Sequence, residues 1–229
     1  MKETQDILHF LQEHSNPSNV KGMARFGIAT GQAFGVPLPA LRQKAKSYKK
    51  NRALALDLWQ SGYHEARIMA TMIDDCKQVT EAQMEQWAHD FDSWDVCDQC
   101  CSNLFDKTEF AIKKSTEWTT RHEEFVKRAG FTMIACLAVH AKKMDDRQFI
   151  EFLPLIVRES TDDRNFVRKA VNWALRQIGK RNTALYPEAL AVAQKLMLSE
   201  NKTARWIGTD ASKELQNEKI INRIKSKEK

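Results

Sequence analysis

Four segments of the chain repeat one pattern, in which an arginine opens an apolar helical stretch. They read RIMATMID from Arg67, RAGFTMIA from Arg128, RKAVNWAL from Arg168 and RWIGTDAS from Arg205. The first two share Thr-Met-Ile at the same offset, and the last three starts lie 40 and 37 residues apart. A period of about 40 residues in a helical pattern is typical of proteins that stack helix pairs along one direction.

Apolar residues recur with a period near 3.6, and the 229 residues include only 8 glycines and 5 prolines, so helix is expected nearly throughout. The sequence predicts an all-α fold, an α-solenoid of HEAT-like helical repeats that forms a curved single domain over 1–229. A frayed tail is expected at 225–229, and a loop at 27–39 is expected to turn Phe34 and Val36 inward. The predicted helices span 3–14, 19–26, 38–50, 51–60, 63–77, 80–90, 94–104, 107–118, 121–142, 145–157, 163–180, 183–198, 201–214 and 217–226.

Composition excludes several classes of protein. With 42% hydrophobic and 29% charged residues, the chain can build a core and is not a disordered polypeptide. It has no apolar window of about 18 residues, so no membrane span is expected. The first residues, MKETQDILHFLQEH, lack the uninterrupted apolar region of a signal peptide. A cytoplasmic location is therefore expected.

The charge of the chain is unevenly distributed. The net charge is +6, yet residues 81–110 hold eight acidic residues and one basic residue. The remainder is therefore strongly basic around one acidic island. Such a surface fits nucleic-acid binding, and it equally fits an ordinary solvated exterior, so charge alone leaves both open.

Three of the five cysteines form the pattern Cys97-x-x-Cys100-Cys101. A structural zinc site would need a second Cys/His pair at similar spacing, and the sequence has none. An odd number of cysteines without a signal peptide fits reduced, buried thiols better. We expect no metal and no cofactor.

The segment 163–180, DRNFVRKAVNWALRQIGK, carries two different helical stripes. Its predicted buried stripe consists of Val167, Val171, Ala174 and Ile178. A second stripe consists of Lys169, Trp173, Arg176 and Lys180. Trp173 has two interpretations there: it could pack on the next repeat while the lysines extend past it, or it could bind a nucleotide among cations that bind phosphates.

The acidic island contains FDSWDVCD from Phe91. Trp94 and Asp98 stand four residues apart and therefore share one face of a helix. Ser93 is a candidate N-cap, and Asp92 and Asp95 could simply favour the helix N-terminus. Asp98 lies a turn further on, where the helix dipole no longer explains a carboxylate.

The arginines that open the repeated segments could also have a purely structural role. Arg67 and Arg205 are expected to tie neighbouring repeats together through carboxylates. The role of Arg128 stays open, because Lys127 precedes it and the rest of its helix is apolar.

An ordered set of motifs resembles the bacterial DNA alkylation repair glycosylase family, the AlkD-like proteins. The set comprises Trp-Asp-x-x-Asp at 94–98, Arg128-Ala before an apolar helix, and Phe-x-x-Lys-Ala-x-x-Trp at 166–173. Met23-Ala24-Arg25-Phe26 and Phe34-Gly35-Val36-Pro37 match the N-terminal pattern. The resemblance covers most of the chain in the right order.

The resemblance implies a monofunctional hydrolase that removes cationic alkylated purines, such as 3-methyladenine and 7-methylguanine, from double-stranded DNA. It implies that Asp98 is the catalytic carboxylate, that Trp94 and Trp173 hold the deoxyribose, and that Arg128 contacts a phosphate. Ser93 and Asn172 depart from the family pattern, which often has tryptophan and a small residue there. The cations expected to contact DNA are Lys127, Arg168, Lys169, Arg176, Lys180, Lys202 and Arg205.

We expect a monomer that associates with the nucleoid when it is bound to DNA and does not bind membranes. Two alternatives belong to other functional classes. One is a non-catalytic HEAT-repeat protein that binds damaged or branched DNA. The other is a protein-interaction scaffold in which Trp94 and Trp173 anchor a partner.

Overall fold

A computed structural model of the protein describes residues 2–226, which form fourteen α-helices and no strand. Two short 3₁₀ turns lie at Lys46–Tyr48 and Phe105–Lys107. Every predicted helix is present; the largest difference is in the predicted helix 38–50, which ends at Ala45. The helices are Lys2–Glu13 (α1), Pro17–Arg25 (α2), Leu38–Ala45 (α3), Arg52–Gln60 (α4), His64–Ile73 (α5), Glu81–His89 (α6), Trp94–Asn103 (α7), Ala111–Trp118 (α8), Glu124–His140 (α9), Asp146–Glu159 (α10), Asn165–Gly179 (α11), Leu185–Met197 (α12), Lys202–Leu215 (α13) and Glu218–Ser226 (α14).

Polar residues fix the starts of several helices. Asn16 accepts hydrogen bonds from the amides of Ser18 and Asn19, and Pro17 occupies the first helical position of α2. The side chains of Asn51, Thr80, Asp145 and Asn201 cap α4, α6, α10 and α13 in the same way. Each such cap is worth about 1 kcal/mol.

The described residues group into two compact units, which divide between Glu109 and Phe110. The first unit contains α1–α7 and the second contains α8–α14. The single domain over 1–229 stays a prediction. Lys225 and Ser226, from the predicted frayed tail, belong to α14, and the rest of that tail lies outside the described residues.

Alternate helices pack side by side in the second unit. α11 packs between α9 and α13, while α10 packs on α12. The row formed by α9, α11 and α13 is therefore one layer of stacked helix pairs. The predicted buried stripe of α11 is confirmed, because Val167, Val171, Ala174 and Ile178 are all fully buried.

Contacts between residues 38 positions apart connect this row. Arg128 donates to the Phe166 carbonyl, Asn172 donates to Asp210, and Arg176 pairs with Glu214. The Arg168 guanidinium also lies 5.0 Å from the ring centre of Trp206. Equivalent positions of adjacent repeats are thus 38 residues apart along the chain in these contacts, which accounts for the sequence period of about 40 residues.

In the first unit, α5 packs between α3 and α7. The core of this unit includes Trp59 and Trp87, whose rings stack with centres 4.0 Å apart. In the loop before α3, Val36 is buried as predicted. Phe34 is half-buried, and its ring centre lies 4.9 Å from that of the exposed Tyr63. Within residues 2–226, no helix combines the length and the apolar character that a membrane crossing requires.

Candidate nucleic-acid interface

The first two turns of α7 carry the Trp-Asp-x-x-Asp motif. Ser93 occupies the N-cap position with extended backbone, as predicted, and its carbonyl accepts the Cys97 amide at 3.2 Å. Its hydroxyl donates instead to the Asp92 carboxylate at 3.1 Å and makes no capping bond to the helix. Within the first turn, the Asp95 carboxylate accepts the amide of Val96 at 3.0 Å.

Trp94 and Asp98 lie on consecutive turns of α7 and are both partly exposed. The opposite side of the helix, formed by Val96, Cys97, Cys100 and Cys101, is fully buried. The indole N–H of Trp94 donates to the carbonyl of Phe26 at 3.0 Å, which fixes the ring. Within this unit, the sequence-predicted acid and indole therefore share the accessible face of one helix.

His64 is a residue of this region that the sequence analysis missed. Its Nε2 lies 2.9 Å from a carboxylate oxygen of Asp95, so the pair joins the first turn of α5 to the first turn of α7. Burial lowers the pKa of His64, but the hydrogen bond and the charge of Asp95, aided by Glu65 and Asp92, leave it raised above 6.5. No signal in the sequence pointed to this pair; in the structure, Trp59 donates to Asp90 across the same interval of 31 residues.

A cavity of about 500 Å³ opens beside Trp94 in the first unit. Its walls are mainly apolar and include Met23, Ile68 and the indole of Trp94, while His64 and Asp95 supply polar groups. The N-terminal motifs that carry the family resemblance, at 23–26 and 34–37, contribute much of its lining.

Glu65 holds one wall of this cavity in place. Its carboxylate accepts the backbone amides of Phe34, Gly35 and Val36 at 2.9, 2.6 and 3.2 Å. A buried carboxylate with three such bonds is well satisfied, so it fixes the loop before α3.

Trp173 occupies the second unit, on α11. It is partly exposed, and its indole N–H has no hydrogen-bond partner among residues 2–226. Trp87 and Trp118 are buried, by contrast, so Trp94 and Trp173 differ from core tryptophans. The neighbouring Asn172 is buried and donates to Asp210 at 2.6 Å.

Arg128 and Lys127 are both bound within the protein. Arg128 is 6% exposed and donates to the Phe166 carbonyl at 2.7 Å. Lys127 is 8% exposed and pairs with Glu159 at 2.6 Å and Asp162 at 3.2 Å. Burial raises the pKa of Asp162, but its bonds to Arg164 and Lys127 bring it to about 2. These two cations tie helices together, and their contact with DNA stays a prediction.

The other predicted DNA-binding cations differ in accessibility. Lys169 and Lys202 are exposed, and neither side chain has a partner within residues 2–226. Arg205 is exposed but donates to the Ser199 carbonyl at 2.8 Å, and Arg176 and Lys180 share Glu214. Their roles in DNA binding stay predictions.

The other three arginines that open repeated segments also make internal contacts. Arg67 donates to the Asp90 carbonyl at 3.1 Å and approaches the Asp92 carboxylate at 3.9 Å, which fits its predicted structural role. Arg205 binds a carbonyl close in sequence, where a carboxylate of another repeat was expected. Arg168 lies over Trp206, a 37% exposed indole that the sequence analysis missed although RW opens the fourth repeat segment.

The cysteines are free thiols, and all but Cys76 are buried. Burial raises the pKa of Cys100 well above its usual range. Within residues 2–226, the structure contains no group of three or more His, Cys, Asp or Glu residues placed to hold a metal ion.

Comparison with known proteins identifies the family of the chain. The model of a family described as DNA alkylation repair enzyme matches residues 7–215. The chain belongs to this family. No curated protein matches the chain.

A solved structure supports the fold. It is described as a new family of proteins related to the HEAT-like repeat DNA glycosylases with affinity for branched DNA structures. The two chains share 18% sequence identity and superpose with a TM-score of 0.81, over 96% of this chain and 95% of the other. At this identity the similarity establishes the HEAT-like helical fold.

Proposed function

We propose that the protein is a monofunctional DNA glycosylase, which hydrolyses the N-glycosidic bond of cationic alkylated purines in duplex DNA. The observation that carries the proposal is the face of α7 on which Trp94 and Asp98 are accessible and one turn apart, while the opposite side of the helix is buried. Membership of the DNA alkylation repair family supports the substrate class.

The chemistry of the substrate suits a single carboxylate. A purine alkylated at a ring nitrogen carries a positive charge, so it leaves as a neutral base and needs no general acid. Ordinary glycosidases need two carboxyl groups because they must protonate the leaving group. Here one acid suffices for the developing positive charge of the sugar.

Asp98 and Trp94 can each stabilise that charge. A fixed carboxylate opposes the developing oxocarbenium ion most strongly where water is excluded, and Asp98 can also orient or deprotonate the attacking water. An indole face contributes about 0.5–2 kcal/mol to a nearby cation. Since 1.36 kcal/mol is about tenfold in rate, the two groups together are worth several orders of magnitude.

Hydrolysis is favoured over a lyase reaction because the first lysines that follow α7 in the sequence are engaged elsewhere. A Schiff-base lyase would need a lysine amine available beside the aspartate. Lys107 donates to the carbonyls of Ser102 and Asn103 at 2.7 and 2.6 Å, where it caps the C-terminal end of α7. Lys113 pairs with Glu117 at 3.8 Å.

The proposal keeps the roles that the family resemblance gives to the second unit. Trp173 is assigned to the deoxyribose, and Arg128 to a phosphate of the same strand. The exposed cations Lys169 and Lys202 are assigned to the DNA backbone.

The test is incubation of the protein with methylated duplex DNA, followed by detection of free 3-methyladenine and 7-methylguanine. Asp98→Asn should abolish release while DNA binding stays equal or becomes tighter. Asp92→Asn is the matched control, because it removes an exposed carboxylate just before the same helix and should leave release nearly unchanged. Release that persists undiminished in Asp98→Asn would show that another group does the chemistry.

The similar structure favours a second candidate, a protein that binds branched DNA without chemistry. This function predicts tighter binding to a four-way junction than to a duplex of equal length, with no base release from methylated DNA. It also predicts that Asp98→Asn has no effect on any activity. Measuring junction binding and base release on the same preparation separates the two candidates.

A further inference from the structure

A second cavity, of about 320 Å³, lies entirely within the second unit. It is bordered by the C-terminal ends of α9 and α11 and by α14. Four of its nine lining residues are cations and none is acidic. We name it the basic hollow, after Lys142, Lys180, Arg181 and Arg223.

Arg181 is the fixed part of the basic hollow. Its guanidinium donates to the carbonyls of Ala138, Ala141 and Met144 at 3.1, 2.8 and 3.0 Å, which closes the C-terminal end of α9. It also lies 4.4 Å from the ring centre of Phe149. Its Nε also lies 3.4 Å from a carboxylate oxygen of Asp146. This arginine therefore shapes the hollow, but its donors are largely occupied and its charge is partly neutralised.

Lys142 and Arg223 are the available cations. Both are exposed, and neither side chain has a hydrogen bond or an ion pair with another residue between 2 and 226. They come from different elements, since Lys142 follows α9 and Arg223 belongs to α14. Lys180 adds a third charge from α11 and is partly neutralised by Glu214. Like charges that converge on one hollow repel each other, and a bound anion relieves that repulsion.

We propose that the basic hollow binds a phosphate group. A tetrahedral anion offers several strong acceptors, so it can accept hydrogen bonds from an arginine fork and from lysines on different helices at once. Ile220 and Ile224 give the hollow an apolar side, which suits a sugar or another carbon group attached to the phosphate. Lys180 lies two turns beyond Trp173 on α11, so a DNA backbone phosphate is one source. A free phosphorylated molecule is the other.

The first experiment uses the full-length protein without DNA, with pyrophosphate as the probe in a calorimetric titration. Lys142→Ala and Arg223→Ala should each lower the affinity by about tenfold, since each removes one charge-assisted contact. Lys143→Ala and Lys225→Ala are the matched controls, because these neighbouring lysines do not line the hollow. Both controls should bind as the unaltered protein does.

A protein that does not bind pyrophosphate would overturn the proposal. It would also be overturned if Lys143→Ala weakened binding as much as Lys142→Ala does. Asp98→Asn should retain full pyrophosphate affinity, so this test is independent of whether the protein is a glycosylase.

The second experiment identifies the source of the phosphate. DNA affinity is measured for the same variants over a series of salt concentrations. If the hollow binds a backbone phosphate, Lys142→Ala and Arg223→Ala should each reduce the salt slope by about one, and the controls should not. If these two variants lose pyrophosphate affinity but keep the salt slope of DNA binding, the hollow binds a free phosphorylated molecule instead.

Discussion

His64 and Asp95 join the first turns of α5 and α7 through a 2.9 Å contact between Nε2 and a carboxylate oxygen. Asp95 lies between Trp94 and Asp98 in sequence and accepts the Val96 amide with its other oxygen. One carboxylate therefore contacts the first turn of its own helix and also ties α7 to α5. The contact positions the face of α7 that carries the proposed chemistry.

This contact predicts a dependence of stability on pH. The pKa of His64 is raised in the folded protein above its ordinary value of about 6.5. The folded state thus binds the proton more tightly, so the contribution is complete below about pH 6.5 and is lost as pH rises through the folded pKa. Urea unfolding between about pH 5.5 and 8.5 should show this decline in the free energy of unfolding, and His64→Gln should flatten it. Equal pH slopes for the two proteins would contradict the prediction.

A glycine in α9 marks a close approach between helices. A Cβ atom at Gly130 would lie 2.7 Å from the backbone nitrogen of Thr119 and 3.0 Å from the carbonyl carbon of Trp118. Backbone atoms cannot move aside as side chains can, so Gly130→Ala should destabilise the protein by about 1–3 kcal/mol. Gly22→Ala is the control: it is helical with nothing within 4 Å, and it should stabilise by about 0.5–1 kcal/mol. Urea unfolding of both variants checks the opposite signs, and a stable Gly130→Ala would refute the close packing.

Local periodicity was sufficient to predict the helices and the buried stripe of α11, because a helix repeats its faces every 3.6 residues wherever it packs. It left two interpretations open for Trp173, which interrupts a stripe of cations. The structure shows that Trp94 and Trp173 are partly exposed, whereas Trp87 and Trp118 are buried.

The partners of the charged residues could not be predicted in this way. Lys127 pairs with Glu159, 32 residues away, and His64 pairs with Asp95, 31 residues away. Such contacts depend on the register between stacked helices, which no single helix encodes. For the same reason, the sequence pattern alone could not show that Arg128 is buried with its guanidinium on the Phe166 carbonyl.

The indole of Trp94 should influence the chemical step more than the fold. Trp94→Phe removes the hydrogen bond to the Phe26 carbonyl and weakens the attraction between ring and cation, while an aromatic ring remains. Single-turnover release of 7-methylguanine at saturating protein should fall about tenfold. Trp206→Phe, at a partly exposed indole of the second unit, should release the base at the original rate. If both variants react alike, Trp94 has no specific role at the sugar.

Lys127 and Lys169 are both predicted to contact DNA. From the structure we expect their removal to have different effects on the stability of the protein. Lys127→Ala leaves Glu159 and Asp162 without their shared partner, and breaking such a buried pair costs about 3 kcal/mol, reduced here by the bonds to Arg158 and Arg164. Lys169 is exposed with no partner within residues 2–226, so Lys169→Ala should change stability by less than about 0.5 kcal/mol. Urea unfolding of the two variants measures this difference.

In DNA binding, by contrast, Lys169→Ala should have a larger effect than Lys127→Ala. Lys169→Ala should weaken duplex binding similarly for all sequences and lower the salt slope by about one, because it removes a backbone contact. Lys127→Ala, assayed at a temperature where it remains folded, should keep its salt slope. If Lys127→Ala instead stays stable and loses DNA affinity, its ammonium group leaves Glu159 and Asp162 for a phosphate when DNA binds, and Lys127 belongs to the DNA interface as its sequence position suggests.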